Sequence, residues 1–267
     1  MKNILLTIEY DGTSFAGWQR QPGKRTVQGE LERVLSILCN CSVQVNGTSR
    51  TDAGVHALGQ RASFKGDFGI PTDRLMLAAN NILAGGMNSI GKIGDLRITS
   101  AKDMPENFHA RFDAKGKKYV YKILNCQETQ IFSRNLYYQV RKNLDAEAMK
   151  QAAAYIVGTH DFKCFQAAGG EEKKTTVRTI YSLNINEGKT ETGQRTLLLE
   201  VKGDGFLYNM VRIITGTLVD VGLGKINPET LPEIIESKER KRAGHTAPPQ
   251  GLYLAKVYYN LEDLICL

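Results

Sequence analysis

The sequence is poor in the residues on which several large enzyme classes depend. Its five cysteines (Cys39, Cys41, Cys126, Cys164, Cys266) are odd in number and scattered, with no C-x-x-C among them. Cys39-x-Cys41 has no His or Cys partner at a zinc-site spacing, so the thiols read as reduced and structural. Only four histidines occur (His56, His109, His160, His245), far apart along the chain, and each reads as structural. There is no H-E-x-x-H, no H-x-E with P-C-x-x-C and no G-x-S-x-G. Neither G-x-x-x-x-G-K-S/T nor G-x-G-x-x-G appears, so no nucleotide cradle and no nucleotide cofactor is expected. No run of about 18 uncharged apolar residues exists, which excludes a membrane-spanning helix. The opening apolar run is too short for a signal peptide and meets Glu9 at once, so a cytoplasmic protein is expected. An enzyme built from this chain has to work with carboxylates, arginines and tyrosines.

What is present is ordinary globular material. Hydrophobic residues make up 42% and charged residues 24% of 267 positions, enough for one large domain or two small ones. The net charge of +7 hints at a polyanionic partner, although charge acts only over about 8 Å at physiological salt. Residues 2–10 read as a strand with Ile4, Leu6, Ile8 and Tyr10 on one face. Val27, Leu31, Val34, Leu35 and Leu38 form a helical stripe over 27–38 behind Thr26 as N-cap. Short strands are expected at 42–46 and 59–65, a helix at 72–83 and a strand at 89–99. Strands at 117–125 and 136–141 and a helix at 146–157 behind Asp145 follow. Strands at 177–186 and 195–202, helices at 206–221 and 228–239, and a strand at 252–259 complete the pattern. Strands and helices are interspersed without a strict alternation, which favours α+β. The boundary is drawn as 1–105 and 106–267.

Three segments carry candidate chemistry. Gly47–His56 lies between two short strands and is rich in turn residues. Asp52 either caps backbone N–H groups there, with Arg50 solvated, or serves as a nucleophile or base, since an ordinary carboxyl is ionised at neutral pH. In Lys115–Lys122, Tyr119 and Tyr121 share a strand face flanked by lysines, which suits either a half-buried strand or stacking on nucleobases. In the apolar helix from Phe206, Leu207, Met210, Val211, Ile214 and Leu218 make the core stripe. Arg212 falls on a flank with Tyr208 and Thr215 and needs a carboxylate partner or a snorkelling route. The run Lys238-Glu239-Arg240-Lys241-Arg242 reads as a solvated face, with contact to RNA as the alternative.

Eight blocks of the chain, taken together, resemble the tRNA pseudouridine synthase A family. They are Glu9–Gln21, Thr26–Glu32, Arg50–Ala57, Phe108–Phe112, Tyr119–Tyr121, Gly158–Phe162, Gly205–Arg212 and Ala247–Leu254, in the family's order. Ser49 stands where the family often has Gly, and residues 84–105 depart from its usual pattern. The resemblance implies isomerisation of uridine to pseudouridine in the anticodon stem-loop of tRNA, around tRNA positions 38–40. It implies a pseudouridine synthase fold of two α/β halves around a mainly antiparallel sheet with a central basic cleft. It further implies a homodimer without a cofactor. Carried over to this chain, Asp52 is the nucleophile, Arg212 pairs with it, Tyr119 packs on the target base and Arg50 helps hold the flipped nucleotide.

Overall fold

A computed structural model of the chain describes residues 1–85, 94–128, 130–169 and 174–265. The fold is α+β, with mainly antiparallel strand pairs. It resolves into two compact units, one made of Met1–Lys115 with Tyr253–Asn260, the other of Gly116–Leu252 with Leu261–Leu267. The division therefore falls at 115/116, ten residues beyond the boundary read from the sequence, and a late strand returns to the first unit. Among the described residues no helix is long and apolar enough to cross a membrane.

In the first unit, β1 (Lys2–Tyr10) lies between β3 (His56–Gly66) and β4 (Leu96–Met104), antiparallel to both. As a central strand it buries Ile4, Leu6 and Ile8 completely. β2 (Val45–Gly47) adds to β3 antiparallel, and β10 (Leu252–Tyr258) pairs with β3 in parallel at Tyr253↔His56 and Leu254↔Ala57. Helix α1 (Val27–Cys39) begins where Thr26 Oγ1 accepts the Gly29 N–H at 3.2 Å, as its capping chemistry predicts. Its stripe of Val27, Leu31, Val34 and Leu35 is fully buried, each side chain contributing about 1.5–3 kcal/mol. Helix α2 (Thr72–Leu83) packs on β4, where Asn80 both donates to and accepts from the Ile98 backbone at 2.8 Å. The strand expected at 89–99 is displaced: β4 starts at Leu96, and residues 89–93 lie outside those described.

In the second unit, β5 (Gly116–Asn125), β9 (Arg195–Gly203), β8 (Val177–Lys189) and β7 (Gly158–Asp161) pair in that order, all antiparallel. A short β6 (Tyr138–Val140) runs parallel to β5. Helix α3 (Ala146–Ala154) is capped by Asp145, whose Oδ1 accepts the Ala148 N–H at 3.0 Å. Helix α4 (Met210–Gly222) is a predominantly apolar helix buried along its whole length, and Arg212 is its one residue that is not buried. Thr215 and Thr217 satisfy their hydroxyls on the carbonyls of Val211 and Ile213. Two short helices follow, α5 (Leu231–Ser237) and α6 (Leu261–Ile265).

The helix expected from residue 206 starts instead at Met210. Asn209, in the left-handed region at φ 58°, turns the chain before it, so Phe206, Leu207 and Tyr208 precede the helix. Leu207 still packs as core and Tyr208 is exposed, but neither belongs to a helical face with Arg212.

Candidate active site

The loop Thr48–Val55 joins β2 to β3, and its main chain is restrained from several directions. At its start, Thr48 N–H donates to Arg61 O at 2.8 Å, while Thr48 Oγ1 and the Tyr259 hydroxyl both donate to Ala110 O at 3.0 Å. The Gln60 amide is wholly buried. Its Nε2 donates to Ser49 O at 2.7 Å, and its Oε1 accepts from the N–H groups of Ser49 and Arg61. One glutamine side chain therefore completes both backbone groups of Ser49, which would otherwise be buried and unpaired. Further along, the Tyr10 hydroxyl sits 2.7 Å from Thr51 Oγ1, and Trp18 N–H donates to Thr51 O at 3.0 Å. Val55 N–H closes a turn on Asp52 O at 3.2 Å, with Gly54 in the left-handed region at φ 78°.

Two glycines let the segment Asp11–Trp18 lie directly against this loop. A Cβ on Gly12 would overlap the Val55 carbonyl, and one on Gly17 would come within 2.8 Å of Thr51 O. Gly12 N–H also donates to His56 Nδ1 at 3.1 Å. The Asp11 carboxylate lies 3.2 Å from the same nitrogen. His56 is buried and stacked on Tyr253 at 4.6 Å. The result is a half-buried Asp52 on a braced backbone, with Arg50 exposed on the same loop.

In the second unit Tyr119 is 8% exposed on β5 and meets Phe206 edge-on at 5.1 Å between ring centroids. Arg212 projects from the first turn of α4 and is held by its own guanidinium. Its Nε donates to Ala247 O at 2.8 Å and its Nη1 to Asn209 Oδ1 at 2.9 Å. Ala247 N–H returns a bond to Arg212 O at 3.1 Å. Arg212 thus has fixed internal partners, which a snorkelling side chain does not need. The left-handed turn at Asn209 is what brings its amide oxygen to the guanidinium.

The chain on either side of Ala247 forms a strap along α4. A Cβ on Gly216 would overlap the His245 carbonyl, so this helix position has to be glycine despite costing about 0.5–1 kcal/mol relative to alanine. Tyr121 secures the far end of the strap by donating its hydroxyl to Pro248 O at 2.5 Å. Burial pushes the Tyr121 phenol well above its ordinary value, and the nearby Arg212 charge opposes this only in part. Asp52 and Arg50 lie in the first unit, Tyr119 and Arg212 in the second. Gln60, Gly12, Gly17 and Gly216 carry no site signal of their own in the sequence, since their roles arise from partners distant in the chain. Among the described residues no group of three His, Cys, Asp or Glu side chains could hold a metal ion.

Residues 6–113 and 152–260 match the family model described as tRNA pseudouridine synthase. The chain belongs to that family. Its relatives include the tRNA pseudouridine synthase A of Acetivibrio thermocellus, 47% identical over 97% of this chain and 100% of that protein. Those of Ruminiclostridium cellulolyticum and Caldicellulosiruptor bescii are 46% and 44% identical over the same shares. Arg50, Asp52 and Arg212 fall within the spans matched by the family model, and Tyr119 falls between them.

Proposed function

We propose that this chain isomerises uridine to pseudouridine in the anticodon stem-loop of tRNA, around positions 38–40, with Asp52 as the nucleophile. Membership of the tRNA pseudouridine synthase family makes it an isomerase, and the observation that supports Asp52 is its half-buried place on a loop braced at both ends. The reaction breaks the N1–C1′ bond, joins C5 to C1′, releases the C5 hydrogen as a proton and places a proton on N1. It is redox-neutral, so its stoichiometry calls for no cofactor. A carboxylate can take part by adding to C6, by attacking C1′ or by supporting a glycal route.

In this reading Arg212 pairs with Asp52, favouring its anion and fixing its orientation through the guanidinium fork. Tyr119 packs on the target base, and stacking worth about 1–3 kcal/mol offsets part of the few kcal/mol that flipping costs. Arg50 helps hold the flipped nucleotide. The enzyme works in the cytoplasm, on tRNA, as a homodimer. Mapping pseudouridine in tRNA from cells with and without the protein tests the activity. Loss of the modification at positions 38–40 on deletion is expected, and an unchanged map would refute it.

A further inference from the structure

A second charged feature lies entirely within the second unit and has no part in the chemistry above. A cavity of about 710 Å³ opens beside the C-terminal half of α4, lined among others by Asp220, Lys225, Arg240, Lys241, Arg242 and His245. Four permanent cations face one carboxylate. That carboxylate is already engaged: Asp220 takes Lys225 Nζ at 2.9 Å and His245 Nδ1 at 3.0 Å. Burial alone would raise the Asp220 carboxyl, but these hydrogen bonds outweigh it and hold the group below its ordinary value.

Arg240 is the informative member. Its Nη1 donates to Gly244 O at 2.8 Å and more weakly to Ala243 O, and its Nη2 donates to Thr246 Oγ1 at 3.1 Å. The guanidinium is therefore fixed in place, yet among the described residues no carboxylate pairs with it. Two of its five N–H groups remain for a ligand. A pre-oriented guanidinium without an acid is suited to an anion, and the fork matches phosphate oxygens. Among the described residues Lys241 and Arg242 pair with the exposed acids Glu239 at 3.2 Å and Glu233 at 3.5 Å. Exposed pairs of this kind are weak and yield readily to a stronger anion.

The helix supplies a ruler. Arg212, Gly216 and Asp220 are spaced four residues apart on one stripe of α4, so Arg212 and the cavity are about 12 Å apart along the axis. The strap runs beside that stripe. Ala247 O holds Arg212, His245 O fills the space over Gly216, and Gly244 O anchors Arg240. We propose that the cavity formed by Lys225, Arg240, Lys241 and Arg242 binds the phosphodiester backbone of the tRNA substrate, two helical turns from Arg212. The run 238–242 is then a recognition surface, where the sequence pattern alone suggested a solvated face. This inference rests on the tRNA reading of function, and its test separates the two.

The variant is Lys241→Gln with Arg242→Gln, both exposed and neither tied to the strap. Binding of unmodified tRNA and steady-state turnover are measured between 50 and 200 mM salt. The slope of log K against log salt should shrink by about one per residue removed, and KM should rise roughly tenfold at physiological salt with kcat within about twofold. If KM and slope match the parent, the proposal is overturned. A fall in kcat at unchanged KM also overturns it, because it assigns the run to the strap. If millimolar inorganic phosphate stabilises the parent but not the variant against heat while the tRNA slope is unchanged, the cavity takes a free anion and the proposal fails. A parent that forms no pseudouridine refutes the functional reading instead, while a shallower salt slope in the variant would still support the cavity as an RNA surface.

Discussion

In the first unit, Asp52 stands on eight residues of irregular backbone, and nearly every restraint described acts on main-chain atoms: Gln60 on Ser49, Trp18 on Thr51, Val55 on Asp52 itself. In the second unit, Arg212 stands on a regular helix, and the described restraints grip its guanidinium through Ala247 O and Asn209 Oδ1. The difference follows from the two side chains. A carboxylate is short and only accepts hydrogen bonds, so its position is set mainly by the backbone that carries it. A guanidinium ends a long flexible stem and carries five donors, so it must be held at its tip and still has N–H groups to spare. Damage should therefore spread differently in the two places.

Among changes outside Asp52, the largest expected effect is at the tip. Arg212→Met removes charge and fork together, and turnover should fall by about 10³-fold, in the range typical of a lost electrostatic group. Arg212→Lys keeps the charge and loses the fork, so it should retain clearly more activity than Met. Single-turnover rates for the two variants make the comparison, and equal rates would show that the fork does not matter.

Next comes the loop. Gly12→Ala places a methyl on the Val55 carbonyl, and the backbone carrying Asp52 must move to admit it. A shift of about 1 Å costs on the order of 100-fold in rate. The expected signature is a lower kcat with tRNA affinity preserved, read from parallel kinetic and binding titrations. A variant with parental kcat would mean that the loop tolerates displacement.

Gln60→Leu should act through stability. It leaves the Ser49 N–H and C=O buried without partners, at about 1–3 kcal/mol for each unsatisfied group. Chemical denaturation should show a drop of a few kcal/mol, and a loss under 0.5 would contradict the role given to Gln60.

The smallest effect is expected beside it. Ser49 Oγ is buried and has no hydrogen-bond partner among the described residues. Ser49→Ala removes the orphan hydroxyl and should leave stability unchanged or raise it by up to about 1 kcal/mol. A melting temperature several degrees lower would reveal a partner for the hydroxyl.

Much of the fold was legible because its signals are local. Thr26 and Asp145 cap the helices that their side chains announce, and the alternation of Ile4, Leu6, Ile8 and Tyr10 marks β1. The start of α4 was misplaced because the apolar spacing of Leu207, Met210, Val211 and Ile214 runs unbroken across a left-handed turn at Asn209. Strand β7 went unread because Gly-Thr-His-Asp has no apolar residue to alternate, and its pairing with β8 defines it. The candidate residues Asp52, Arg50, Tyr119 and Arg212 stand out through residue type and family blocks. Their supports do not, because Gln60 and Gly216 take their meaning from atoms that only folding brings to them.

The measurement closest to the central claim is made on Asp52→Asn, which keeps the shape of the side chain and removes the anionic oxygen that a nucleophile needs. Tritium release from C5-labelled uridine in tRNA is followed under single-turnover conditions, with melting temperature and tRNA affinity recorded on the same protein. We expect a folded variant that binds tRNA like the parent and releases no tritium above background. Release at even a tenth of the parental rate would mean that Asp52 serves its loop and not the reaction.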